Sequence, residues 1–440
     1  MNASWLLPAS VLAPALAFLV CAVIASRPLS ARSERVVTRA TEGAAIALFF
    51  TTLLALVAFV QSPGHVLVAT MEALGDAAPP LVLDITAAPL LALTAVFAPL
   101  IALFSRTYLH REPGHARFFL LFNLFITGMV TMALGGTPGA FFAGWEMVGL
   151  SSALLIGYFD AREAPVRAGL RVLGTYRACD IGLLVAVLVE GSNVVHGKTP
   201  FSVMNAHAGV IAAGLLLAAM GKSAQLPFGG WLPRAMEGPT PSSAIFYGAL
   251  SVHAGVFLLI RAEPWMHELG AARLALGLAG AATAAYGAAC ARAQSDAKSA
   301  LAYAVMTQTG LMFVELALGL PMLALAHLTG HACLRAWQLL RAPSVGSDAR
   351  AVRDALGHTP PRPASWPRML SASTDRRLQF LALQGFFADA HVDRIFLKPL
   401  VTLARTASLV ERTWLSVLNG PAIEHPPTLA ERRSHSEVRS

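Results

Sequence analysis

Long apolar windows alternate with short polar stretches along the whole first three-quarters of the chain, and that pattern sets the fold class. A helix rises 1.5 Å per residue, so windows of roughly 18–23 apolar residues match the thickness of a bilayer core. Such windows fall near 5–25, 43–60, 83–105, 118–135, 139–159, 172–190, 208–228, 241–260, 271–290, 299–319 and 321–340, which predicts about eleven transmembrane helices. The windows 118–135 and 139–159 are joined by little more than GGTPG, a turn. The expectation is an all-α polytopic membrane protein with a membrane domain over residues 1–340.

One window is interrupted. Lys222 follows an unbroken apolar run from Val210 to Met220, and Pro227 with the pair Gly229-Gly230 then breaks the helix. A charge at that depth costs roughly 2.5–3.5 kcal/mol on insertion scales. Irregular backbone within a membrane is tolerated only where protein buries it or water reaches it. A lysine beside a broken helix therefore points to an ion path.

Beyond Leu340 the composition changes. Residues 341–375 are rich in Pro, Ser, Arg and Asp and read as a cytoplasmic loop. Residues 376–418 mix apolar residues with charges such as Arg405, Glu411 and Arg412, as amphipathic interfacial or partner-docking helices do. Residues 419–440 are polar and read as a disordered tail.

Basic residues orient the spans. The first loop carries Arg27, Arg32, Arg35 and Arg39, the third Arg106, Arg111 and Arg117, and the fifth Arg162, Arg167 and Arg171. The second and fourth loops carry no Lys or Arg, and the sixth only Lys198. This places the N-terminus outside and the C-terminal region in the cytoplasm of a cell (inner) membrane. The first window, Trp5–Ala25, lacks a basic leader and reads as a retained span.

Composition agrees. Of 440 residues 55% are hydrophobic and 13% charged, about half the charged share of a soluble domain, and mean hydropathy is +0.59. The net charge of +8 is spread over loops and tail without interleaved aromatics, so it is no nucleic-acid signal. Cys21, Cys179, Cys290 and Cys333 lie in or beside apolar segments without CxxC spacing, and neither disulfides nor a metal site is expected. Phosphate-loop, dinucleotide and nucleophile-elbow patterns are absent, so soluble-enzyme readings fall away.

The remaining chemistry lies in ionisable residues at membrane depth. Glu146, in the fifth window, is a carboxylate that can couple its protonation to Lys222 in a low dielectric. Arg177 and Asp180 sit one turn apart in the sixth window and read equally as a structural ion pair. His253 and Tyr247, in the eighth, can extend a proton chain or be hydrogen-bonded core residues. His327, His331 and Arg335 recur at i, i+4 and i+8, on one face of the eleventh window. Histidine at HxxxH spacing can bind metal, but no third ligand follows, so a proton relay is the better reading. Lys298, at the start of the tenth window, and Glu315, within it, are further links.

Three blocks carry a resemblance: GWEMVGL around Glu146, GKSAQLPFGGWLPRAMEGPTP around Lys222, and DAKSALAYAVMTQTG around Lys298. Together they resemble the antiporter-like proton-conducting subunits of respiratory complex I and of Mrp-type cation/proton antiporters, over roughly residues 80–340. That resemblance implies an inverted-repeat bundle, with Glu146 and Lys222 as the charged pair of one half-channel. It makes Arg177 and Asp180 the sixth-span base and acid, and His327 and His331 the link to a second half-channel. The second repeat is expected to be truncated.

Complex I subunits usually carry His at the position of Tyr247 and Lys at that of Arg335. These departures, with RAMEGPTPSSAIFYGALSVHAG and HACLRAWQLLRAPS, resemble the DabB-type subunits of DAB inorganic-carbon transporters. That family implies passage of H+ or Na+ through this chain. It also implies a DabA-like partner on the cytoplasmic side, whose carbonic-anhydrase-like zinc site hydrates CO2, with no cofactor in this chain.

Overall fold

A computed structural model of the protein describes residues 5–26, 30–70, 78–190, 207–263, 268–357, 372–388, 394 and 398–419. Arg27, Lys198, the stretch 358–371 and the tail from 420 lie outside the described residues. The chain divides into two units, Met1–Ala388 and Asp389–Ser440.

The first unit is a helical bundle. Its helices are α1 (Leu6–Ala25), α2 (Ala31–Gln61), α3 (Ala87–Tyr108), α4 (His115–Leu134), α5 (Pro138–Ile156) and α6 (Glu163–Glu190). They continue with α7 (Ala208–Lys222), α8 (Thr240–Arg261), α9 (Gly270–Ala293), α10 (Ala297–Ala317), α11 (Pro321–Leu356) and α12 (Ala372–Leu383). Nine of these, among the described residues, are long and apolar enough to cross a membrane; α7, with 15 residues, is apolar but shorter. The peripheral helices expose Leu12, Leu16, Phe50, Leu100, Leu278 and similar side chains, as lipid-facing surfaces do, while α8 is wholly buried at the centre. Burial in this bundle therefore tracks distance from the middle of the protein rather than polarity.

Helices approach closely where small residues meet, since lipid supplies no hydrophobic drive and packing must do so. A Cβ added at Gly280 would stand 2.6 Å from the Gly310 carbonyl, which fixes α9 against α10. Gly182 and Gly214 meet backbone to backbone and fix α6 against α7 in the same way.

Three features depart from the sequence expectation. A small antiparallel hairpin, β1 (Leu67–Ala69) with β2 (Leu81–Leu83), occupies the second loop, pairing Val68 with Val82. Alternation over three-residue strands is too short to register in a hydropathy window. Helix α11 runs on to Leu356, where a loop was expected from 341, and stops at Gly357, whose φ of 69° is the left-handed cap that glycine supplies. Helix α8 is not regular either. Its Ser243–Ala249 segment is a π-helix, followed by a 3-10 turn at Ser251–His253.

The second unit, where described, consists chiefly of α13 (Lys398–Asn419). On it Leu409, Val410 and Trp414 are exposed alongside Arg405, Glu411 and Arg412.

Candidate functional site

Helix α7 ends at Lys222. Ser223 caps it, Ala224 takes a positive φ of 52°, Leu226-Pro227 is cis, and a 3-10 turn at Phe228–Gly230 leads into a short helix, Trp231–Arg234. A break inside a membrane must satisfy its own polar groups. Here side chains from other helices do so. The Trp231 indole donates to the Gly221 carbonyl at 3.0 Å, and the Leu226 N–H donates to the Thr283 hydroxyl at 2.9 Å. The Gln225 amide donates to the Ser223 carbonyl at 2.8 Å and to the Thr309 hydroxyl at 3.1 Å. The Ser223 hydroxyl donates to the Val252 carbonyl at 2.7 Å. The break is a braced element, held by α8, α9 and α10.

Lys222 is completely buried, and its ammonium is met from several sides. It lies 4.2 Å from the Tyr176 ring and 4.6 Å from the Trp145 ring, both within cation–π range. It donates to the Trp145 carbonyl at 3.3 Å. The nearest carboxylate is Asp180, with Oδ2 at 3.9 Å. Asp180 in turn accepts from the Trp145 indole at 2.6 Å and from Arg177 at 3.2 Å. Arg177 also pairs with Glu146.

The sequence expectation pairs Glu146 with Lys222; the structure interposes Arg177 and makes Asp180 the lysine's direct partner. The cause is helix packing. Gly221 abuts Cys179, where an added Cβ would stand 2.7 Å from the sulfur, and this seats Asp180 beside Lys222 one residue further along each helix. Glu146 therefore acts on Lys222 through a shared cluster of two acids and two bases.

A second buried cluster lies on α8 and α11. His253 Nε2 and His331 Nδ1 are 2.9 Å apart. His253 Nδ1 faces the Ala249 carbonyl at 2.8 Å, so it carries the hydrogen. Arg335 Nε donates to His331 Nε2 at 3.0 Å, so that nitrogen is an acceptor. The tautomers follow from these two ends: His331 Nδ1–H donates to His253 Nε2, and both rings are neutral. Arg335 is held in place by the Gln338 oxygen at 2.7 Å. The kinked, π-helical course of α8 is what turns His253 toward α11; such bulges recur at functional positions.

His327 is placed apart from that pair. Its Nδ1 donates to Glu315 at 2.8 Å and its Nε2 meets the Gln308 amide at 3.0 Å, while its ring centre stays 6.2 Å from that of His331. Tyr247 donates to the Ser152 carbonyl at 3.2 Å and packs its ring on Trp231, so it braces α5 and does not touch His253 in this arrangement. Lys298 stands away from both clusters. It lines a cavity of about 480 Å³ with Asp296, Glu237, Arg162 and Tyr108, at the end of the bundle that bears the basic loops.

Several participants escaped sequence reading. Trp145 and Tyr176 wall the ammonium, yet a tryptophan or tyrosine in an apolar window reads as core. The only signal was adjacency, Trp145 preceding Glu146 and Tyr176 one turn before Asp180. Ser251, two residues before His253, and Tyr176 each carry a buried hydroxyl without a hydrogen-bond partner among the described residues. Arg261, next to the end of the eighth apolar window, is buried and clamps Asp84 at 2.6 Å and the Ala133 carbonyl at 3.1 Å, tying α8 to the start of α3 and the end of α4. Among the described residues no three His, Cys, Asp or Glu side chains gather as metal ligands.

Known proteins resemble this chain in sequence and fold. Residues 139–357 match the NADH:quinone oxidoreductase/Mrp antiporter transmembrane family. NADH-ubiquinone oxidoreductase chain 5 of Felis catus is 34% identical over 275 residues, 61% of this chain and 45% of its own length. The chain 5 protein of Canis lupus is 38% identical over 245 residues, 55% of this chain and 40% of its own. The chain thus spans less than half the length of these relatives. Among solved structures, the Mrp complex from Dietzia sp. DQ12-45-1b superposes with a TM-score of 0.61 at 30% identity, covering 79% of this chain and 38% of that one. A chain of the archaeal membrane-bound sulfane sulfur reductase superposes at 0.63 over 89% of this chain and 80% of its own; at 17% identity this is a likeness of fold. With Lys222, its helix break and both charged clusters inside them, residues 139–357 are the part of this chain that matches the NADH:quinone oxidoreductase/Mrp antiporter family.

Proposed function

We propose that this chain conducts a cation, H+ in the first instance, between the Glu146–Arg177–Asp180–Lys222 cluster and the His253–His331 pair. The single observation that carries this reading is a wholly buried lysine, placed at a helix break, 3.9 Å from a buried carboxylate. At that separation two unit charges interact by about 4 kcal/mol at an effective dielectric of 20. A proton reaching Asp180 removes that attraction and favours loss of a proton from Lys222. A proton reaching Glu146 acts more weakly, by releasing Arg177 onto Asp180. From Lys222 the hydroxyls of Tyr176 and Ser251 lead toward His253, and the histidine pair leads on to α11. The cavity beside Lys298 serves as the approach from the basic-loop side.

Arg177 supports a multisubunit setting. It lies at the middle of α6 with 46% of its side chain exposed. A guanidinium facing lipid at that depth is costly, so a neighbouring subunit or water covers it. We read the assembly as a DAB-type inorganic-carbon complex in the inner membrane, N-terminus outside and C-terminal region cytoplasmic. A DabA-like zinc subunit would hydrate CO2 to bicarbonate on the cytoplasmic side, and ion flow through this chain would drive it. The support is the sequence pattern around Tyr247 and Arg335; the exposed Leu409, Val410 and Trp414 of α13 offer a docking surface for such a partner. A second reading, a respiratory complex I or Mrp-type antiporter subunit, is favoured by the identities to chain 5 and to the Mrp complex.

Purification of the tagged chain from solubilised membranes separates the two. A stoichiometric zinc-containing partner with CO2-hydrating capacity supports the first; hydrophobic antiporter subunits or quinone-linked proteins support the second.

A further inference from the structure

Outside the matched family segment, α2 and α3 enclose a cavity of about 620 Å³ at the end bearing the basic loops. Helix α2 has 31 residues and is about 46 Å long, against a hydrocarbon core of about 30 Å, so its first turns project into the headgroup layer. The cavity lies at that level. Glu42 pairs with Arg106 at 3.2 Å and Glu34 with His110 at 2.8 Å, which pins the end of α3 to α2 and shapes the walls.

Arg35 and Arg39, one turn apart on α2, are exposed at the cavity and have no ion partner among the described residues. With Arg106 they outnumber the two glutamates, so the cavity favours an anion. The same face of α2 then turns apolar. Ile46, Phe50, Leu53 and Val57 are all exposed, and Leu100 and Leu103 of α3 run beside them. From Arg39 to Ile46 is about 10 Å along the helix. A phosphate held at Arg35 and Arg39 would therefore stand above an apolar face that its acyl chains can follow.

We propose that this cavity binds the headgroup of an anionic phospholipid. The phosphodiester sits on Arg35 and Arg39, and the acyl chains lie along the exposed faces of α2 and α3. Guanidinium groups bind phosphate oxygens through paired N–H donors, and interhelical basic pockets at the cytoplasmic leaflet suit such headgroups. The apolar stripe beneath the arginines is what favours a lipid over a soluble phosphate.

The test titrates the full chain, purified in neutral detergent with whatever subunits accompany it, with short-chain phosphatidylglycerol. Bound lipid is counted by native mass spectrometry. Short-chain phosphatidylcholine and glycerol phosphate serve as comparisons. Phosphatidylglycerol is expected to bind at one saturable site, with phosphatidylcholine and glycerol phosphate each at least about tenfold weaker. The double variant Arg35→Gln/Arg39→Gln alters two exposed side chains and is expected to keep the parent melting temperature without lipid. Its affinity should fall by about 30-fold, the loss of two basic residues near the surface. Equal binding of phosphatidylcholine, equal binding of glycerol phosphate, or unchanged affinity in the double variant would each overturn the proposal. So would a co-purified protein subunit that occupies the cavity and excludes the lipid.

Discussion

Lys222 meets Asp180, and not Glu146, as its carboxylate partner: Nζ and Oδ2 are 3.9 Å apart, with Arg177 set between Asp180 and Glu146. Asp180 is thereby the carboxylate closest to the lysine, with Glu146 and Arg177 acting on it from further away.

A first prediction ranks the acids. Asp180→Asn should reduce proton flux more than Glu146→Gln, because the first removes the lysine's direct partner and the second only frees Arg177. Removing one member of a buried ion pair costs about 3–5 kcal/mol of stability, so flux must be expressed per folded protein. Equal losses, or a larger loss in Glu146→Gln, would restore the pairing expected from sequence.

Gly149→Ala should impair conduction with a small effect on folding. The new methyl would stand 2.7 Å from Lys222 Nζ and 3.4 Å from the Tyr176 ring. The ammonium is the far end of a flexible chain and can yield, so the overpacking cost should fall at or below the lower end of about 1–3 kcal/mol. Thermal stability and flux, measured on the same preparation, check this; loss of both together would show a packing role only.

The histidine pair makes a directional prediction. His331→Gln should cut flux, since an amide can still donate to His253 but cannot take up and release a proton as the imidazole does. Arg335→Lys should do so in part: an ammonium cannot hold the in-plane bond to His331 and the bond to Gln338 with the same rigid geometry. Parent-like flux in His331→Gln would remove α11 from the path.

An alkaline titration tests the elbow between α5 and α6, which carries Glu146 toward Asp180. Burial, with the Glu112 carboxylate adding to it, pushes the Tyr158 phenol up to about 12. Its folded value lies above the ordinary value of about 10. Its stabilising contribution is therefore complete below pH 10 and is lost as pH rises toward 12, by up to about 1.4 kcal/mol per pH unit. Tyr158→Phe should lose less stability over that window than the parent. Identical slopes would show that the phenol is not the titrating group.

How much of this was legible in the sequence varies with the physics involved. Lys222 was legible because a charge after an apolar run, followed by Pro and paired Gly, is a local signal. Its partner was not, because Asp180 reaches it through a contact of Gly221 with Cys179, and close approach between helices leaves no mark on hydropathy. The spacing of His327, His331 and Arg335 correctly put them on one helix face. It did not show that His331 turns to His253 while His327 turns to Glu315, because the π-helical segment of α8 shifts the register. Asp84 and Arg261 sit near the ends of apolar windows, where nothing in the sequence pairs them; only tertiary packing brings them to 2.6 Å.

The central claim is that Lys222 carries the cation step. The most direct measurement is proton uptake into vesicles containing the chain with its co-purified subunits, under an imposed gradient, for the parent and Lys222→Ala at equal amounts of folded protein. The account predicts gradient-driven uptake in the parent and uptake at the level of empty vesicles in the variant. Parent-like uptake in Lys222→Ala would contradict it.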